Sequence, residues 1–129
     1  MLKQTFFFLG IMGIFLSGLP AAAASDRMAE VNKFTTMLES DSLKTRIDAA
    51  KQITRSGLTD PGLFNIIQEK LLTGSAHLSN SKHVDEMSWM CKALASSGNM
   101  EYLETLTNIG ATSTSEKLKH YARKSLGNL

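Results

Sequence analysis

The sequence predicts an all-α domain, a short stack of helix pairs with about six helices, behind a cleavable signal peptide. Three observations carry this. From about residue 26 onward, apolar residues recur at three- and four-residue spacing, with almost no strand-like alternation. Cap residues and glycines punctuate the chain at helix-length intervals. The segment from Leu43 is echoed 41 positions later, a period at which a helix pair repeats.

The N-terminus carries the three parts of an export signal. Lys3 is basic, Phe6 to Leu19 (FFFLGIMGIFLSGL) is apolar and uncharged, and Pro20 ends the run before Ala21-Ala22-Ala23-Ala24. Small residues at Ala22 and Ala24 predict cleavage between Ala24 and Ser25. Residues 1–24 are then the signal peptide and 25–129 the domain. A spanning helix needs about 20 apolar residues, so this run predicts no stable membrane span after cleavage. No cysteine stands directly after it to accept a lipid. The expected location is outside the cytoplasm, periplasmic or extracellular.

The helices follow in order. The first runs from about Asp26 to Leu38 on Met28, Val31, Phe34 and Leu38. Ser40-Asp41-Ser42 starts the second, which carries Leu43, Ile47, Ala50 and Ile53 and stops at Ser56-Gly57. Asp60 caps the third and Pro61 sits at its first position. Leu63, Ile66, Ile67 and Leu71 carry it to about Thr73. Gly74 to Ser81 reads as a loop, with Gly74, Gly98 and Gly110 as helix terminators. The fourth helix spans about Lys82 to Ser97. The fifth spans about Met100 to Ile109, with Leu103 and Leu106 inward, and the sixth holds Leu118, Ala122 and Leu126.

A shift of 41 residues pairs Leu43 with Val84, Ala50 with Cys91, Ile53 with Leu94 and Gly57 with Gly98. A truncated third copy fits Lys119, Ala122, Leu126 and Gly127. Arg46-x-x-Ala49-Ala50-x-x-Ile53 followed by Ser56-Gly57-Leu58-Thr59-Asp60-Pro61 resembles the HEAT-repeat pattern, of the armadillo-like helical repeats. The likeness covers most of residues 41 to 129 and is strongest in the first copy. In the second copy Met87 stands where Arg46 was, and Met90-Cys91 replace Ala49-Ala50. The resemblance implies a small exported, bacterial-type member with an α-solenoid fold and a scaffold or adaptor role.

Composition narrows the function classes. Lys and Arg number 14 against 12 Asp and Glu. Loss of Lys3 brings the charge closer to neutral, which argues against nucleic acid or anionic membrane as the main partner. Cys91 is the only cysteine, so no internal disulfide forms and packing must stabilise the fold. It reads as a small buried residue on the apolar stripe.

His83 and Glu86 share a helix face, but no third ligand lies near. Together with Asp85 they read as a solvated helix start favoured by the dipole. His77 falls in the expected loop. Lys117, Lys119, His120, Arg123 and Lys124 read as the solvated side of the sixth helix. No nucleophile with a partnered base and no Gly-rich phosphate loop is present, so neither catalysis nor a cofactor is expected.

Trp89 points away from the Val84, Met87, Cys91 and Leu94 stripe, with Ala93 on its side. Either the fourth helix is buried on two faces or Trp89 contacts a partner. The expected function is a non-catalytic scaffold that binds another protein. The alternative is a small-ligand or metal binder using a groove near Met87, Trp89 and Met90.

Overall fold

The computed structural model describes residues 21–129. Lys3, the apolar run and Pro20 lie outside them. The described residues are helical, with six α-helices, a 3₁₀ turn and no strand among them. The described residues divide into two units, one up to Glu30 and one from Val31 to Leu129. The first helix, α1 (Ala21–Leu38), contributes its early turns to one and the residues from Val31 onward to the other.

Helix α1 is already helical from Ala21, ahead of the expected Asp26, and alanine is the strongest helix former. The bond between Ala24 and Ser25 therefore lies within a helical turn. Phe34 and Leu38 are buried, whereas Met28 is exposed.

α2 (Leu43–Ser56) is capped by Ser42, whose side chain accepts from the Thr45 N–H. It buries Ala49, Ala50 and Ile53 and ends on Gly57 at φ 74°, a left-handed position that suits glycine.

α3 (Pro61–Ala76) starts as its sequence indicates. Asp60 accepts from the Leu63 N–H at 3.0 Å, and Pro61 opens the helix. It does not stop at Thr73, and Gly74 is not a terminator. A Cβ at Gly74 would lie 2.5 Å from Met87 Sδ and 3.2 Å from His83 Nε2. The glycine is there because two helices approach closely. Gly110 is likewise inside a helix, where a Cβ would meet Arg123 Cγ at 3.0 Å. Of the three expected terminators only Gly98, at φ 67°, behaves as one.

α4 (Ser81–Ser96) is capped by Asn80, which accepts from the His83 N–H. A 3₁₀ turn (Met100–Tyr102) precedes α5 (Leu103–Thr112). That tighter turn shifts the phase of the helix. Tyr102, Thr105, Leu106 and Ile109 face inward, and Leu103, expected inside, is exposed. α6 (Glu116–Leu126) is capped by Ser115 and buries Leu118, Ala122 and Ser125.

Within residues 31–129, α4 is central. It packs on α2, α3 and α6, while α5 packs on α6 and touches α3. Side-chain contacts give the direction of the row α2–α4–α6. Near the helix starts, Arg46 meets Glu86, and Asp85 meets Lys117. Near the ends, Thr54, Ser96 and Ser125 line one cleft. The three helices therefore run parallel, side by side.

Candidate functional site

α4 is buried almost all round: Glu86, Met87, Ser88, Met90, Cys91, Ala93, Leu94 and Ala95 are all inside. The two-sided burial expected of this helix is present, but Ala93 supplies it rather than Trp89. Trp89 is half-buried, with one side packed against the core. Its ring lies under two ammonium groups, Lys92 Nζ 4.2 Å and Lys51 Nζ 5.2 Å from the centroid. Lys92 Nζ also stands 4.7 Å from the Tyr121 ring centroid. Lys51, Trp89, Lys92 and Tyr121 thus form a ladder across all three helices of the row.

Cation–π attraction contributes about 0.5–1 kcal/mol per exposed contact. Neither Lys51 nor Lys92 has a carboxylate within 4.0 Å among the described residues. The ladder therefore presents an aromatic surface and two cations without a close ion-pair partner, although Asp85 lines the same surface. Beside it, Lys117 pairs with Asp85, which holds the Lys117 ammonium above its ordinary pKa.

A separate cleft of about 510 Å³ opens at the start of α2 and α4. Arg46 Nε donates to Glu86 Oε2 at 2.6 Å and its Nη2 to Oε1 at 3.3 Å, while Nη1 donates to the Ser40 carbonyl. The hydrogen bond to Glu86 raises the Arg46 pKa above its ordinary value, against the opposing effect of burial. Glu86 is only 3% exposed, so it is not part of a solvated helix start as expected. Glu39 and Lys70 close an ion pair at 2.9 Å across the same cleft.

Both Glu86 oxygens are taken by Arg46, and His83 Nδ1 accepts from the Ser79 N–H. No group of three or more His, Cys, Asp and Glu suited to a metal ion occurs among the described residues.

Met87, Trp89 and Met90 share no groove. Met90 is buried in the core, Met87 lines the charged cleft, and Trp89 lies on the row face. The basic residues of α6 are also dispersed. Lys117 pairs with Asp85, Lys119 lies 3.6 Å from Glu116, and the Arg123 stem covers Gly110. Cys91 is fully buried, and desolvation pushes its thiol pKa up to about 12.

Sequence reasoning singled out Trp89 but missed Lys51, Lys92 and Tyr121 as its neighbours. A signal existed, since Trp89 and Lys92 are three apart on one helix face. Lys51 and Tyr121 join only through tertiary packing. Comparison with known proteins finds no family model that matches the chain, and no matching curated protein or solved structure.

Proposed function

We propose that this chain is an exported, non-catalytic module that docks another protein on the exposed face of α2, α4 and α6. The ladder of Lys51, Trp89, Lys92 and Tyr121 carries the reading. Tryptophan is enriched at binding hot spots, where a rigid aromatic anchor limits the ordering cost of association. Packed helices hold this one in place.

The HEAT-like solenoid is part of the same proposal. In a simple up-and-down bundle sequential neighbours pack most closely, whereas here α4 meets α2 and α6, two elements away on either side. Parallel alternate helices are the arrangement that a repeated helix pair produces. Export with cleavage after Ala24 belongs to the proposal too, on the strength of the Ala22-x-Ala24 site. Intact-mass analysis of the secreted form reads it directly, and a retained N-terminus would remove it.

A photo-crosslinking residue in place of Lys51, introduced in living cells, tests the docking face. A discrete adduct is expected, absent when the probe replaces the exposed Thr59, which lies on neither this face nor any of the clefts, and lost with Trp89→Ala. Equal labelling from both positions, or none, would count against this surface.

A further inference from the structure

We infer that the groove between α3 and α5 is a second docking site, which takes an amphipathic segment of a partner protein whose apolar residues are flanked by lysine or arginine. The inference is independent of the row face and stands or falls by itself.

The groove encloses about 780 Å³ and is lined by Leu72 of α3, Leu103 and Ala111 of α5, and the carboxylates Glu101 and Glu104. Leu72 is 48% exposed and Leu103 is 40% exposed, two large apolar side chains from separate helices facing one space. Scattered exposed leucines are ordinary, but two that converge in a concave groove mark a surface suited to a partner.

The floor is already satisfied. Gln68 Nε2 donates to Thr105 Oγ1 at 2.7 Å, so that pair needs no ligand. What remains open at this groove is apolar area and negative charge.

The charge selects the partner. In the cleft at the start of α4, Glu86 is neutralised by Arg46 and Glu39 by Lys70. At the α3–α5 groove, neither Glu101 nor Glu104 has a basic partner within 4.0 Å among the described residues, and no Lys or Arg lines the space. An apolar stripe flanked by cations fits both properties, whereas an acidic stripe would meet repulsion. Leu103 to Ala111 covers about 12 Å of helix at 1.5 Å per residue, enough for roughly two turns of a docked helix. A helix laid in a groove by its apolar face is an established mode of recognition.

The probe is a fluorescein-labelled 14-residue peptide of leucine and lysine with helical periodicity, titrated into the full chain as the cell delivers it and read by anisotropy. Saturable binding is expected. The double variant Leu72→Gln, Leu103→Gln should weaken it about tenfold. The pair Glu101→Gln, Glu104→Gln should weaken it roughly threefold and flatten its salt dependence. A leucine–glutamate peptide of the same pattern should not bind.

All four substitutions alter solvent-facing side chains, and thermal melts check that the variants stay folded. Should the leucine variant unfold, the glutamine pair decides alone. Absence of saturable binding, equal binding by the variants, or equal binding of the two peptides overturns the proposal. So does self-association of the chain that the leucine variant abolishes, since a second copy would then be the occupant.

Discussion

Cys91 shows how packing governs the chemistry of a single residue. Its thiol is buried with no polar partner, so the neutral form is favoured and the pKa rises to about 12. In the unfolded chain it titrates near the ordinary value of 9.0. Between these values the unfolded state loses its proton first, so folding stability falls as pH rises. The slope from this group is up to about 1.4 kcal/mol per pH unit, with none of the loss present below pH 8. Denaturation of wild type and Cys91→Ala from pH 8 to 11 checks the sign, the variant giving the flatter profile. Tyr102, raised chiefly by burial, acts in the same direction in both proteins. Native Cys91 should also resist thiol reagents that label it promptly in denaturant. Ser125 offers the opposite case. Its Oγ is buried without a hydrogen-bond partner. Ser125→Ala removes an unsatisfied group and adds a better helix former. A gain of about 1 kcal/mol in chemical denaturation is expected, and a loss would mean the hydroxyl has a partner.

At the scale of the helices, the bond between Arg46 and Glu86 joins α2 to α4 at their starts. Breaking it from one side should cost more than replacing it whole. Arg46→Met leaves a buried carboxylate unpaired, at about 3 kcal/mol, whereas Arg46→Met with Glu86→Leu should recover most of that loss. A double-mutant cycle by urea denaturation gives the coupling, and additive losses would show that the pair is not coupled. This contact also marks how far the helices were legible in the sequence. Arg46 stood out through its place in the first repeat, but Glu86 lies 40 residues away, and local pattern gave it a solvated position. The caps Ser42 and Asp60 were readable because capping is a local interaction. Gly74 and Gly110 were misread because their reason is tertiary: a Cβ would crowd a side chain of the facing helix, Met87 at Gly74 and Arg123 at Gly110. Leu103 was misplaced by a 3₁₀ turn, which no apolar spacing announces. The lysine and tyrosine around Trp89 that come from α2 and α6 belong to this class too.

For the molecule, the proposed export and the proposed docking rest on residues at opposite ends of legibility, the signal on plain composition and the ladder on three helices meeting. Between them stands α4, with α2, α3 and α6 against it. A helix held on three sides has no partial way out. Amide hydrogens of Met90, Cys91 and Leu94 should therefore exchange with solvent only when the whole domain opens, at the slowest rates in the chain. Those at the end of α6, beyond Ser125, have fewer neighbours and should exchange orders of magnitude sooner by fraying. Exchange followed by mass spectrometry orders these segments in time. A denaturant series then shows whether the α4 amides share the slope of global unfolding. If they do, stability is concentrated in one interior helix, and the surfaces on either side are displayed by a support that does not move on the timescale of binding.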